Sequence, residues 1–248
     1  MTDKPKTIRD TDEEARIQAR FLMRGSRFGA IAAIDPQTGY PHCSRVLLGT
    51  DNSGTPAILV SRLAAHTVAL LSDPRASLLV GEPGKGDPLA WPRLSLRCNA
   101  RPVSRESAED SALRTRFIRR HKKAALYAGF PDFLFLRLEP LSASLNGGFG
   151  KAYILSSQDL AIDSPIVAEA AQLEDGIISR LNSGWRQQSQ NCEQLKPFAN
   201  WEICALDPEG LDLKKGDSLR RLAFSTPLRT AEDLEQIEAH VFSGRMRH

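Results

Sequence analysis

A surplus of charge of one sign is missing from this 248-residue sequence: 33 basic against 30 acidic side chains leave a formal net charge of only +3. A chain whose partner is a nucleic acid or an acidic surface carries a clear basic excess, so neither partner is indicated. Long apolar runs are missing too. No stretch of about 18 apolar residues is available to cross a bilayer as a helix, and the opening MTDKPKTIRDTDEEARIQAR is polar where a secretion signal needs an apolar segment. A cytoplasmic address is expected. Cysteine is scarce: Cys43, Cys98, Cys192 and Cys204 stand far apart with no Cys-x-x-Cys pair, which excludes zinc-finger spacing and a dense disulfide framework. They read as reduced, mostly buried thiols. Histidines 42, 66, 121, 240 and 248 form no clear pair at i, i+4, so no metal site is expected. Internal repeats and low-complexity tracts are likewise lacking.

What is present is a chain long enough for two modest modules, each with its own core. Thr11 and Glu14 have capping-box spacing, and Ala15, Ala19 and Leu22 recur at helical period until Gly25. The runs RFGAIAAI, PHCSRVLLGT and PAILVS are separated by turn-forming residues and predict a β-meander. LAAHTVALLS predicts a helix ended by Asp73-Pro74, and ASLLV a further strand. The stretch 81–92, GEPGKGDPLAWP, is a loop. RLSLRCNARPV sets Leu94, Leu96 and Cys98 against Arg93, Ser95, Arg97 and Asn99, the period of a strand with one wet face. A helix follows over 104–127, then two or three strands in FLFLRLEPL, ASLNGG and FGKAYIL. Six or more short strands with one inserted helix suit a small split or closed barrel. Beyond residue 158, SPIVAEAAQLEDGIISRLN predicts an amphipathic helix, WEICALDPEGLDLKKGDSLRRLAFS three strands, and TAEDLEQIEAHVF a helix capped by Thr230. The expected division is 1–158 and 159–248, and the expected class is α+β.

In ILVSRLAAHT a buried strand runs into a helix at Ser61. A helix N-terminus offers unpaired N–H groups to an anion, and Ser61, Arg62, His66 and Thr67 add donors suited to a phosphate monoester. The alternative is an ordinary cap with Arg62 and His66 on the surface. Arg45 lies within the apolar run SRVLL. It needs a ligand, a carboxylate or an open face, and the outward-facing strand arginine is the preferred reading. NGGFGKA and GEPGKGDP both miss the nucleotide-binding glycine spacings. The run Arg114, Arg116, Arg119, Arg120, Lys122, Lys123 is spread around several helix faces, which predicts a solvated helix rather than a nucleic-acid site.

In their order, PHCSRVLL, SRLAAHTVALLSDPRASLLV, GDPLAWPRLSL and ALYAGFPDFLFLRLEPLSASLNGGFGKAYIL resemble the pyridoxamine-phosphate-oxidase-like, FMN-binding split barrels, in particular their haem-utilisation branch. The resemblance covers roughly residues 15–158, and DPEGLDLKKGD resembles the small C-terminal domain of that branch. It implies an FMN-binding homodimer, an oxidoreductase in which Arg45, Val46 and Leu47 face the flavin and its phosphate, and Ser61, Arg62, Leu63, His66 and Thr67 hold the phosphate. His66-Thr67 stands where the oxidases have Arg-Lys, and Arg93 near a flavin-contacting glutamine. It also implies two alternatives: a haem binder or degrader, for which one axial histidine suffices, or a cofactor-free dimeric regulatory platform like a plant protein that binds glutamyl-tRNA reductase. The branch's Asn-x-Asp-His signature keeps Asn182 but has Trp185 in place of histidine. Neither catalytic residues nor vitamin B6 oxidation is implied.

Overall fold

Residues 8–148 and 151–247 are described in this computed structural model; Phe149 and Gly150 of the glycine cluster and His248 lie outside them. Strands β1 (Phe28–Ile34), β2 (Pro41–Leu47), β3 (Gly49–Thr50), β4 (Pro56–Ser61), β5 (Arg75–Val80), β6 (Arg93–Pro102), β7 (Phe133–Asn146) and β8 (Ala152–Ser156) share one sheet. Its order is β2-β1-β5-β6-β7-β4-β3, with β8 also on β7. β7 carries two partners on one side, β4 along residues 133–137 and β8 along 142–146. The β6–β7 register slips beside Arg97 and Cys98, so Leu141 faces no partner residue. Such a bulge bends the strand and increases its twist. The sheet curls until β2 comes back alongside β4, giving a split β-barrel. The two or three strands expected after the inserted helix are thus one long strand and one short one.

The alternation of β6 is realised, with Leu94, Leu96 and Cys98 buried in the barrel beside Ile31, Val46, Leu78 and Leu136. Helix α1 (Glu13–Gly25) packs Ala15, Ala19 and Met23 against that core. Its cap is Asp12, whose Oδ1 accepts from the Ala15 N–H at 2.8 Å. The Thr11 hydroxyl, expected to cap, donates instead to the Ile154 carbonyl at 2.7 Å. Helix α2 (Ala65–Ser72) joins β4 to β5. Helix α3 (Ala108–Arg120) starts at Ser107, whose hydroxyl accepts from the Asp110 N–H.

After the short α4 (Ser157–Leu160), α5 (Val167–Gln190) crosses a four-stranded antiparallel sheet of β9 (Glu202–Asp207), β10 (Gly210–Lys215), β11 (Ser218–Phe224) and β12 (Met246–Arg247). Thr230 caps α6 (Ala231–Glu235) through a capping box, and α7 (Ile237–Phe242) follows. This sheet has its own apolar core, including Ile178, Trp185, Leu213 and Val241. Asn182 both donates to and accepts from the backbone of Ile203 at 2.9 Å, serving the β9 edge as a partner strand would. Trp185 is buried and donates its indole N–H to the Phe198 carbonyl.

Solvation of the basic helix is corrected by the fold. Arg116 and Arg120 of α3 are buried. Arg116 pairs with Glu174 of α5, and Arg120 with Asp212 of β10 while also donating to the Arg24 and Ser26 carbonyls. Arg221 bonds Asp207 at 2.7 Å and Asp212 at 2.9 Å. Arg24 of α1 reaches Glu209. Elements from both sheets therefore meet through charged groups that must be paired to be buried. Burial pushes Asp207 up, but Arg221 and Arg24 outweigh it and hold the carboxyl near about 2.

Candidate functional site

Beside this charged junction the two sheets leave a cleft of about 710 Å³, within the ~300–1,000 Å³ usual for small-molecule sites. Phe21 of α1, Phe28 of β1, Trp91 and Phe198 bring aromatic rings to it, and Arg27 and Arg220 bring guanidiniums. The loop 81–92 builds one wall. Gly81 has a φ of +109°, and a Cβ there would lie 2.5 Å from the Pro92 carbonyl oxygen, so only glycine lets the loop double back onto β6. Gly84 lies directly against the indole of Trp91, whose N–H donates to the Lys85 carbonyl. At the rim, Arg27 pairs with Asp217 at 3.1 Å. Among the described residues, Arg220 donates only to the neighbouring Leu219 carbonyl.

Arg45 lies on the outward face of β2, exposed as preferred, with its guanidinium 5.4 Å from the Phe28 ring centroid. It thus stands over a ring that lines the cleft. Arg93, at the start of β6, donates to the Leu89 carbonyl at 3.2 Å and backs the same loop. Val46 points the other way into the barrel core, and Leu47 is half-buried against a second core around Phe117 and Phe135.

The Ser61–Thr67 segment is differently arranged. The Ser61 hydroxyl donates to Asp132 Oδ2 at 2.6 Å and accepts from the Leu63 N–H, and the Arg62 N–H is taken by the Asp132 carbonyl. The Arg62 side chain is exposed, and Leu63 is 85% exposed. Thr67 is fully buried, and its hydroxyl has no partner among the described residues. His66 is half-buried; its pKa is pushed down by burial and then by His42, whose Nε2 contacts the Ser44 hydroxyl at 3.1 Å. Among the described residues, no hydrogen bond or ion pair links Arg45 to this segment. None of the predicted site residues is itself in the cleft's lining; Arg45 reaches it only through Phe28 and Arg93 through the 81–92 loop, among the described residues.

Phe28, Trp91, Phe198 and Arg220 were missed by sequence reasoning. They come from a strand start, a loop, a 3-10 turn and a hairpin, and no short spacing announces them. Asp132 was also missed; its carboxylate takes the hydroxyl that a phosphate would need. Among the described residues, no three His, Cys, Asp or Glu side chains group to hold a metal ion. No described helix is long and apolar enough to cross a membrane.

Comparison with known proteins gives these features relatives. The chain is 31% identical over 163 residues to the chloroplastic heme oxygenase HOZ of Arabidopsis thaliana, a match covering 63% of this chain and 49% of the relative. The chain therefore spans about half the length of the curated relative it matches. A solved structure of a protein of unknown function from Agrobacterium tumefaciens is 28% identical, with a TM-score of 0.78 over 96% of this chain and 98% of that one. A heme-binding protein from Mycobacterium smegmatis shares the fold at 22% identity and a TM-score of 0.55, over 98% of both chains. The family model described as CREG, beta-barrel matches residues 10–160, so the chain belongs to the CREG β-barrel family.

Proposed function

We propose that this protein is a haem-handling split barrel that works as a homodimer, holding the porphyrin in the cleft beside Phe28 and Trp91. The observation that carries the reading is the aromatic-walled cleft of about 710 Å³ with Arg45 and Arg220 near its rim. Flat aromatic walls suit the porphyrin faces, and guanidiniums without a carboxylate partner suit its carboxylates. The haem oxygenase relative supports the same class of ligand. When bound, haem supplies redox-active iron. Arg45, Arg220, Phe28 and Trp91 would orient it. No histidine is among the residues lining the cleft, so this set would hold the porphyrin plane and its carboxylates.

A homodimer is supported by the outer face of the barrel. The row Arg45, Ala30, Leu79, Ser95, Ser144, Ile154 runs across six strands through successive register partners, and all six are exposed. With small or apolar side chains at all but one position, this surface suits a two-fold partner. Residues 1–158 and 159–248 as two domains, and a cytoplasmic address without nucleic-acid or membrane partners, belong to the same proposal.

FMN oxidoreductase chemistry is the second reading, favoured by the orphaned Thr67 hydroxyl at the start of α2. It is weakened by Asp132, which places a carboxylate on Ser61. Titrating the purified chain with hemin by Soret absorption, and with FMN by fluorescence, separates them. We expect saturable hemin binding, weakened about tenfold by Arg45→Ala or Trp91→Ala and unchanged by His66→Ala or His240→Ala. No saturable Soret change, together with FMN binding that depends on Arg45, would replace the haem reading with the flavin one.

A further inference from the structure

A second cavity, of about 240 Å³, lies between α1 and the β11–β12 side of the other sheet. Its lining shares only Phe21 and Arg221 with the large cleft. On α1, Ile17 and Phe21 are four residues apart, as are Arg20 and Arg24, so the helix presents an apolar stripe beside a cationic one. Phe224 and Pro227 add apolar surface from across the cavity.

Guanidiniums outnumber their acceptors here. Glu209 Oε2 is shared by Arg20 Nε at 3.1 Å and Arg24 Nη1 at 2.5 Å. Arg221 is spent on Asp207 and Asp212 behind the wall. Glu13, at the edge, is 65% exposed and already divided between Arg16 and Arg20. Facing them, Arg229 gives one N–H to the Asp163 carbonyl and makes no salt bridge among the described residues. Arg247, on β12, has no acceptor among the described residues.

We propose that this cavity is a separate site for a small molecule that joins an apolar body to a carboxylate or phosphate, the anion meeting Arg229 and Arg247 and the body resting on Ile17, Phe21 and Phe224. It is independent of the haem reading. Calorimetric titration of the whole chain tests it with phenyl phosphate, benzoate, inorganic phosphate and benzyl alcohol. Phenyl phosphate or benzoate should saturate at one per chain, with inorganic phosphate and benzyl alcohol each about tenfold weaker or more. The Arg229→Ala, Arg247→Ala double variant should weaken the aromatic anion about tenfold while hemin binding is unchanged. Should the double variant fail to fold, Arg247→Ala alone, at an exposed position, should weaken it by about threefold. A preference for phenyl phosphate identifies a phosphate monoester, and one for benzoate a carboxylate. Absence of saturation by both aromatic anions, or equal affinity in wild type and the folded variant, overturns the site.

Discussion

His121 caps the C-terminus of α3 and is buried against Leu48, whose carbonyl lies 2.9 Å from its Nε2. Burial pushes its pKa down to about 4, against the ordinary 6.5, with Arg120, Arg27 and Lys214 acting in the same direction. The folded chain therefore keeps the ring neutral where the unfolded chain protonates it. Stability from this group is fully present above about pH 6.5 and is lost as pH falls toward about 4, a contribution on the order of 3 kcal/mol. Asp207 acts in a different window, because its depressed pKa stabilises above about pH 3.9 and is lost as pH falls through about 2. Urea unfolding between about pH 7 and pH 4.5 should show a falling midpoint. His121→Gln should flatten that fall; an unchanged slope would mean that His121 is not its main source. A residual slope is expected from His66 and His240, whose pKa values burial also lowers.

Helix α3 shows how one element divides its cations between two tasks. Arg116 is fixed by Glu174, the Thr50 carbonyl and the Leu206 carbonyl, whereas Lys123, just beyond the helix, is 79% exposed and among the described residues pairs with Asp217 alone. Removing a buried partner leaves a charge unpaired, so Arg116→Ala should cost about 3–5 kcal/mol, while Lys123→Ala should stay within about 0.5 kcal/mol. Glu174→Gln on the Arg116→Ala background should cost less than the sum of the single changes. Denaturant titration of the four proteins gives the comparison; additive losses would show that the pair is not coupled. In the sequence this segment was legible as a helix over 104–127; the structure starts it later, after the Ser107 cap, and ends it earlier, at Arg120. Which of its arginines are buried was not legible, because the carboxylates that receive them lie 58 and 92 positions further along the chain.

For the whole molecule, Arg24, Arg116 and Arg120 on one side and Glu174, Asp207, Glu209 and Asp212 on the other connect the barrel to the second sheet. Separating the two sets would strip Arg24, Arg116 and Arg120 of these carboxylates and leave Asp207 and Asp212 with Arg221 alone. Unfolding should therefore be a single transition whether followed by Trp91 at the barrel loop or Trp185 in the second core, and two separate midpoints would refute the coupling. The uncovered barrel face makes the companion prediction that light scattering gives the mass of two chains at micromolar concentration. A Leu79→Arg change on that face should return a folded monomer, since a charge would then be buried between copies.

The sequence by itself determined the local periods: the alternation of β6, the strand-to-helix passage at Ser61, the Thr230 cap, and the α+β order of elements. These are set within a few residues by side-chain direction and turn chemistry, so a linear reading reaches them. Ordered motifs also pointed to the split barrel. Tertiary structure alone decided which of those residues form a site. It turned Arg45 outward over Phe28, committed Ser61 to Asp132, used Asn182 and Trp185 inside the second core, and gathered Phe21, Phe28, Trp91 and Phe198 from distant segments into one cleft. The physical reason is that a binding surface is made where separate elements fail to pack completely, and that gap depends on how the sheets curl and meet.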